Sequence, residues 1–311
     1  ILYGIVLISR ASMHLNHDEM SEKVKNVEHV LFGPWVGEFG WELFGCQGYL
    51  RKMRRDNPHL KTFNIISRTG RSFIYEDFCD SYIEFDCPGE NITGALCQDW
   101  PTPHSDIQPK DIKNSIMKKL GLTEDNCLYI PSHTFLVDYH ADGPGREERL
   151  PKFTNSQLFH KYKSKTIKKS PYKVLIHARN AFHHGTSNKN WPGQSWDKLC
   201  SFLHKKGYKL GAIGTKHESS VPNHCDDLRG ISIEDTVSYL NKSKFLITTC
   251  SGPAHLASLC DTDMVVMTAP QNIHRYATDW NPFNSKREVI YEQGWNPDTD
   301  YVIERVKSFL K

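Results

Sequence analysis

The sequence lacks the markers of several protein classes. None of its nine cysteines forms a C-x-x-C pair, which excludes a zinc ribbon and a thioredoxin-type redox motif. No apolar run approaches the roughly 20 residues that a membrane-spanning helix needs. The formal net charge is only +3, and no long basic face indicates a nucleic-acid partner. What remains is the composition of a soluble folded protein whose 311 residues suffice for two domains.

The cysteines and the first residues point to different compartments. An odd number of scattered cysteines is typical of reduced, buried thiols, so we expect a cytoplasmic protein. The chain begins with an apolar run, residues 1–8, and has no initiator methionine. This run is either an upstream extension, with Met13 or Met20 as the start, or the tail of a signal anchor. The second alternative would place the protein in the Golgi or secretory lumen. The glycosylation sequons at Asn91 and Asn241 do not distinguish the two locations, because such matches arise by chance.

Apolar patterning divides the chain into two halves with the same order of elements. Strand patterns occur at residues 28–32, 62–67, 172–177, 209–214, 245–249 and 264–267. Helix patterns occur at residues 41–55, 111–120, 195–206, 232–241, 252–260 and 300–310. This alternation predicts a doubly wound α/β domain in each half. The basic stretch 161–171 and the turn 142–145 lack an apolar face, so we divide the chain into domains 1–165 and 166–311.

A glycine-rich turn follows the first strand and carries two acids. Residues 33–42 read Gly-Pro-Trp-Val-Gly-Glu-Phe-Gly-Trp-Glu and match neither the dinucleotide-binding nor the Walker fingerprint. A carboxylate on such a turn at a helix N-terminus is placed like a general base, and we interpret Glu38 as that catalytic base. The alternative is that Glu38 or Glu42 caps the helix and complements its dipole. The further candidates, as acceptor-binding or loop residues, are Gly37, Gly40 and Glu42.

Basic side chains follow the first strand of the second half. His177 and Arg179 end that strand, and Lys189 lies in Lys-Asn-Trp-Pro just before the next helix. Because the C-terminal ends of parallel strands line the ligand crevice, an arginine and a lysine here can hold a diphosphate. The alternative is a solvated Lys189 and an Arg179 that pairs with an acid. His183 and His184 stand without an acid or cysteine at ligand spacing, so we interpret them as a surface pair and expect no metal site.

A Ser-Gly-Pro turn between a strand and a helix predicts an anion site. Gly252 permits close approach, Pro253 suits the first helical position, and the amides that follow Ser251 favour a negative charge. His255 either contacts the donor phosphate or is a satisfied, partly buried histidine. A nucleophile reading of Cys250 and Ser251 with His255 lacks a third orienting group and the nucleophile-elbow pattern.

The second half resembles glycosyltransferase family 9, the ADP-heptose:lipopolysaccharide heptosyltransferases. Over about residues 174–267 it carries, in the family's order, Lys-x-Trp-Pro, Gly-Tyr-Lys-Leu-Gly-Ala-Ile-Gly, Asp-Leu-Arg-Gly and Ser-Gly-Pro-Ala-His-Leu-Ala. The resemblance implies the GT-B fold of two facing Rossmann-like domains, with the donor on the C-terminal domain and the acceptor on the N-terminal one. It also implies sugar transfer with inversion, without a metal and with the nucleotide-diphosphate sugar as co-substrate in place of a cofactor.

Carried over to this chain, the resemblance implies three site assignments. Lys189 matches the family's phosphate-contacting lysine, residues 251–255 match its donor turn, and Glu38 matches an acid thought to be the base. Two positions depart from the family. Cys250 stands where the family usually has an aspartate, and the His-Ala-Arg at the first strand end of this half is similar to GDP-fucose-dependent fucosyltransferases. The donor sugar and nucleobase therefore stay open.

The sequence thus predicts a hexosyl- or heptosyltransferase that uses a nucleotide-diphosphate sugar. We expect the acceptor to be a hydroxyl of a glycan, lipid-linked or otherwise, with peripheral membrane contact as an option. One alternative is a nucleotide-sugar epimerase on the same fold, for which Asp226 and Asp227 are the obvious acids. A second is a carbohydrate- or nucleotide-binding protein without catalysis, which the departure at Cys250 leaves open. A transferase acting on nucleic acid would need a basic face and salt-sensitive binding.

Overall fold

The computed structural model describes residues 17–86, 109–132, 157–182 and 186–310. The chain divides into two compact units between Leu158 and Phe159. Several features singled out in the sequence lie outside the described residues: the apolar run 1–8, the sequon at Asn91, the turn 142–145 and the pair His183 and His184.

The first unit is built on a parallel sheet. Its strands are β1 (His29–Phe32), β2 (Thr62–Ser67), β3 (Ser81–Glu84) and β4 (Cys127–Ile130). Its helices are α1 (His17–Lys23), α2 (Phe39–Trp41), α3 (Gln47–Asp56) and α4 (Pro109–Leu120). The strand order is β3-β2-β1-β4, and every pair is parallel. The strands β1 and β2 are almost fully buried, as strands covered on both faces of a parallel sheet are.

A π-helical turn, Glu42–Cys46, separates α2 from α3. The sequence predicts one helix over residues 41–55, because the apolar positions continue through this turn. π-helical turns in longer helices are rare and occur often at functional sites. Here the turn lies directly after the glycine-rich loop, and all five of its residues are buried.

The second unit repeats this architecture on a larger scale. Its strands are β5 (Val174–Arg179), β6 (Leu210–Ala212), β7 (Ser219–Ser220), β8 (Cys225–Asp227), β9 (Phe245–Thr249), β10 (Met264–Met267) and β11 (Arg287–Ile290). Its helices are α5 (Gly193–Lys205), α6 (Ile233–Lys242), α7 (Gly252–Leu259) and α8 (Thr299–Leu310). The order β11-β10-β9-β5-β6-β8 is parallel throughout, and β7 pairs antiparallel with β5.

Aromatic packing on α5 secures the core of the second unit. Trp196 on α5 meets Trp191 edge-to-face, with ring centroids 5.0 Å apart. Phe245 on β9 packs against Phe309 on α8 in the same edge-on manner, at 5.3 Å. These fully or largely buried rings join α5 and α8 to one face of the sheet and hold the strand ends in place.

The stretch 161–171 lies along the second unit. The Tyr162 N–H donates to the Leu259 carbonyl at 2.8 Å, and Asn241 on α6 bonds the backbone of both Tyr162 and Ser164. Ser238, also on α6, accepts from the N–H of Ile167 at 3.1 Å. Because α6 side chains satisfy these backbone groups, the division of the chain falls a few residues before the sequence-predicted boundary at 165/166.

The predicted parallel α/β class is confirmed in both units. The strands at residues 62–67, 245–249 and 264–267 have the predicted bounds. The prediction missed β3, β4, β7, β8 and β11, each of which is only two to four residues long. Within the described part of the chain, no helix is long and apolar enough to cross a membrane.

Candidate active site

The Ser-Gly-Pro turn lies where β9 passes into α7. Ser251 is the N-cap residue of α7, and Pro253 stands in the first turn, where its lack of an N–H is tolerated. The N–H groups of Ala254 and His255 both donate to the Ser251 carbonyl, at 3.1 and 3.4 Å. The amide cradle is therefore smaller than the sequence predicts. It consists of the Gly252 N–H at the start of the helix and of the positive end of the helix dipole.

The Ser251 hydroxyl joins a polar cluster at the ends of β5 and β9. Its Oγ lies 3.0 Å from Nδ1 of His177, 3.2 Å from Oγ1 of Thr248 and 3.0 Å from the Thr249 carbonyl. The nucleophile reading pairs Ser251 with His255. In the structure Ser251 contacts His177 instead, because Ser251 follows β9 and His177 lies on β5, the neighbouring parallel strand.

Burial keeps His177 neutral. The side chain is 4% exposed, and burial, followed by the charge of Arg179, lowers its pKa to about 3. Gly214 packs closely on the ring, since a Cβ at that position would lie 2.7 Å from Cδ2 of His177. A neutral, enclosed imidazole can orient Ser251 but brings no charge to a phosphate. That His177 binds the donor itself stays a prediction.

The neutral His177 predicts a loss of stability in acid. The unfolded chain protonates this residue below about pH 6.5, whereas the folded protein does not protonate it above about pH 3. The free energy of unfolding should therefore fall as the pH drops below 6.5, by up to about 1.4 kcal/mol per pH unit from this residue. Urea unfolding from pH 6.5 to 4.5 measures the slope. His177→Asn should flatten it by that amount, whereas His217→Asn, at an exposed histidine, should not. Equal slopes in all three proteins would contradict a neutral His177.

Arg179 connects the end of β5 with the Lys-Asn-Trp-Pro segment. Its Nη1 donates to Oδ1 of Asn190 at 2.5 Å, and the Asn190 amide also bonds the backbone N–H and carbonyl of Ala181. Trp191 is buried in the core. These contacts hold the backbone on the C-terminal side of Lys189. Sequence reasoning did not single out Asn190, although its position inside the motif was the available signal.

Positive charge gathers around His255 in the first turn of α7. The ring is 5% exposed, stacks on Tyr276 at 5.6 Å and meets Trp280 edge-on at 4.5 Å. Burial lowers the pKa of His255 well below its usual 6.5. Nearby cations lower it further; they are Arg275, Arg287 and Lys189. His255 is therefore a neutral, packed histidine in the first turn of α7, and a direct donor contact by it stays a prediction.

Arg275 is a candidate site residue that the sequence analysis missed. It begins a second π-helical turn, Arg275–Asp279, in the segment that follows β10. Its guanidinium carbon lies 4.8 Å from the centroid of the Trp280 ring. Arg287, by contrast, is held by its own loop, where Nη2 bonds Asn281 at 2.9 Å and Ser285 at 3.1 Å. The only sequence signal for Arg275 was its position after the predicted strand 264–267, in a segment without a periodic apolar pattern.

The glycine that the first-unit loop requires is Gly33. Its φ is +106°, and a Cβ there would collide with the carbonyl oxygen of Ile66. The Trp35 N–H donates to that same carbonyl at 3.0 Å, which seats the loop on the end of β2. The sequence-selected Gly37 and Gly40 are buried, and neither has a positive φ. Their role at an acceptor stays a prediction.

The two acids of this loop have different surroundings. Glu38 is the N-cap residue of α2, is partly exposed and makes no capping hydrogen bond through its side chain. Glu42 is fully buried, and its carboxylate accepts from Ser67 at 2.5 Å and from Tyr75 at 2.8 Å and pairs with Arg71. Glu38 is thus available to a ligand, whereas Glu42 anchors the loop rather than facing an acceptor.

The acids that an epimerase would use are engaged elsewhere. Asp226 accepts from the Tyr172 hydroxyl at 2.8 Å and pairs with Lys209 at 3.1 Å. Asp227 pairs with Arg229 at 2.9 Å. Both aspartates lie on the exposed edge strand β8. No group of three or more potential metal ligands occurs among the residues that the structure describes.

Comparison with known proteins finds one family model that matches over half of the chain and solved structures that share the fold of most of it. A family model described as glycosyltransferase family 9 (heptosyltransferase) matches residues 130–302. A glycosyl transferase family 9 structure from Veillonella parvula has a TM-score of 0.60 at 12% identity, covering 92% of this chain and 98% of the other. The E. coli ADP-heptose lps heptosyltransferase II has a TM-score of 0.58 at 13% identity, covering 91% and 98%.

A third solved structure is similar over most of the chain. E. coli heptosyltransferase WaaC with ADP has a TM-score of 0.53 at 13% identity, covering 90% of this chain and 99% of that one. A comparison with curated proteins found no match. At these identities the likenesses show the fold alone, and they confirm the predicted GT-B class of two Rossmann-like α/β units.

Proposed function

The chain belongs to glycosyltransferase family 9, and from this we propose that it moves a sugar from a nucleoside-diphosphate donor to an acceptor hydroxyl by a single inverting displacement. We further propose that this transfer needs no metal and no other cofactor. The family assignment makes the chain a nucleotide-sugar glycosyltransferase. The observation that carries the finer proposal is the position of Arg275 on the Trp280 ring, which in turn meets His255 in the first turn of α7.

The leaving diphosphate needs compensation for the charge that it gains. As the bond between the anomeric carbon and the phosphate oxygen breaks, its electron pair stays on the diphosphate. Lys189, whose Nζ lies 5.4 Å from the centroid of the Trp295 ring, and Arg275 on Trp280 are the cations that we assign to it. The Gly252 N–H and the dipole of α7 add a fixed positive end. The Ser251 hydroxyl lies on the same turn beside His177, and its hydrogen, which here is donated to the Thr249 carbonyl, would turn to the diphosphate.

The acceptor hydroxyl must lose a proton as it attacks. We assign Glu38 as the base, because it is a partly exposed carboxylate that makes no capping bond on a loop seated firmly by Gly33. In an inverting displacement, the acceptor oxygen bonds to the anomeric carbon on the face opposite the diphosphate. Its proton passes to the Glu38 carboxylate. No covalent sugar intermediate is needed.

Nucleotide binding tests the donor site. In a thermal-shift panel of ADP, GDP, UDP and, as a control, CMP, we expect one diphosphate to raise the melting temperature by several degrees at about 100 times its Kd. Lys189→Gln should weaken that Kd by about 10- to 100-fold, because it removes a charged contact to phosphate. Lys307→Gln, at a partly exposed lysine paired with Glu304, is the matched control and should bind normally.

Two results would count against this donor site. One is the absence of a shift with every diphosphate at millimolar concentration. The other is an unchanged Kd in Lys189→Gln together with the expected shift in the parent chain, which would mean that the nucleotide binds elsewhere. The heptose, fucose or other identity of the sugar then follows from the nucleotide sugar that supports turnover.

The remaining assignments concern the acceptor and the location of the protein in the cell. We propose a glycan hydroxyl as the acceptor, and its lipid linkage and any peripheral membrane contact stay predictions. A cytoplasmic location is likewise a prediction from the reduced cysteines. Incubation of the active nucleotide sugar with glycan and glycolipid acceptors, read by mass spectrometry, distinguishes the two acceptor classes.

A further inference from the structure

Two cysteine thiols meet at one edge of the second unit. Cys200 lies on α5, Cys225 begins the edge strand β8, and their sulfur atoms are 3.7 Å apart. Cys200 is fully buried in the core cluster, and Cys225 is partly exposed beside it. Neither residue belongs to the donor site or to the glycine-rich loop, so the sugar-transfer proposal does not account for this pair.

The surroundings favour a disulfide over a metal site. His204 lies one helical turn after Cys200, and its ring stacks on His224, the residue before Cys225, at 4.5 Å. Two cysteines and two histidines in this order suggest a zinc site, but no described side chains form a group of three or more that could hold a metal. A disulfide requires that the sulfurs approach by roughly 1.7 Å, to the usual bond length of about 2.05 Å, and that the Cβ–S–S–Cβ dihedral turn to about 90°.

The strand that carries Cys225 can accommodate this approach. β8 is three residues long and has β6 as its single neighbour in the described sheet. Short edge strands lack the second row of backbone hydrogen bonds that fixes central strands. A small shift of β8 toward α5 therefore strains backbone hydrogen bonds to one strand alone, while the flexible side chains that pair with Asp226 and Asp227 can follow it and Cys200 stays in the core.

We propose that Cys200 and Cys225 are a redox-active pair that oxidised glutathione, or another small disulfide, closes into a disulfide bond that clamps β8 to α5. The thiolate of the accessible Cys225 attacks one glutathione sulfur, which forms a mixed disulfide and releases one glutathione thiolate. The thiolate of Cys200 then attacks the Cys225 sulfur and releases the second glutathione. Two protein thiols are oxidised, one glutathione disulfide is reduced, and the two protons leave with the two glutathiones.

The clamp would constrain a segment that contacts donor-side residues. The loop it closes, about 25 residues long, contains Gly214, which packs on His177, and Ser219, which pairs with Arg179 in the β5–β7 ladder. Closing a loop of this length removes conformational freedom from the unfolded chain. We expect the bond to raise the melting temperature by about 5–10 °C.

Peptide mapping and thermal unfolding test the proposal together. The full chain, first reduced, is incubated with oxidised glutathione, blocked with N-ethylmaleimide and digested. We expect a linked peptide joining residues 200 and 225, lighter by two hydrogens than the two thiol peptides, and a melting temperature that dithiothreitol lowers again. Cys225→Ser should lose both signals. Cys79→Ser, at a partly exposed cysteine of the first unit, is the matched control and should keep both.

Three outcomes would overturn the proposal. The first is the absence of a 200–225 peptide at every glutathione ratio. The second is a stable mixed disulfide at Cys225 that Cys200 never displaces, which would make Cys225 a single reactive thiol. The third is a linked peptide without an increase in melting temperature, which would show that the bond strains the folded protein as much as it constrains the unfolded chain. Because the parent chain supplies all three readings, the test does not depend on whether a variant folds.

Discussion

Glu38→Gln is expected to lower the rate of sugar transfer by about 10²- to 10⁴-fold while nucleotide binding stays intact. The amide has the shape of the carboxylate but cannot accept the acceptor's proton. Because the Glu38 side chain caps no helix and is partly exposed, its replacement should leave the fold unchanged. Release of nucleoside diphosphate in the presence of acceptor measures turnover, and the thermal shift with the same diphosphate measures binding.

The control for this prediction is a variant that keeps a carboxylate at position 38. Glu38→Asp keeps the base on a side chain one carbon shorter and should retain more activity than the glutamine variant. Full turnover in Glu38→Gln would remove Glu38 from the mechanism. Loss of the nucleotide-induced thermal shift in the same variant would show that Glu38 supports the structure rather than the proton transfer. A protein that binds nucleotide without catalysis would show no turnover in the parent chain or in either variant.

Glu42→Ala is expected to destabilise the first unit by about 3–5 kcal/mol. The deletion leaves the Arg71 guanidinium buried without its carboxylate, and it removes the acceptor of the Ser67 and Tyr75 hydroxyls. Burial, and next the negative charge of Glu42, raise the pKa of Tyr75 well above its usual range, in keeping with its role as a donor. Urea unfolding at neutral pH, followed by circular dichroism, measures the loss.

Two further variants serve as controls for the loss of stability in Glu42→Ala. Glu42→Gln keeps an oxygen for the hydroxyls and should lose less stability than alanine. Glu28→Ala removes an exposed partner of Lys61 and should change stability by no more than about 1 kcal/mol. A loss below about 1 kcal/mol in Glu42→Ala would contradict the anchoring role, because it would mean that Arg71 finds another partner at no cost.

The helix-cap alternative shows where sequence reasoning reached its limit. From the sequence, Glu38 and Glu42 are two acids four residues apart at a helix start, and either could cap it. The structure separates them, because the π-helical turn beginning at Glu42 directs that residue into the core while Glu38 stays at the loop surface. No periodic pattern distinguishes a π-helical turn from an α-helical one over five residues. The same reason explains why Arg275, at the second such turn, went unnoticed.

By itself, the sequence determined the alternation of strands and helices, the parallel sheets and the polar residues at the strand ends. These features follow from local periodicity and from turn chemistry, which a few neighbouring residues contain. Only the tertiary structure decided which side chains meet. His177 contacts Ser251 across 74 residues of chain, and Glu42 binds Arg71 across 29. Such pairs depend on strand order and packing, and packing is set by the whole chain at once.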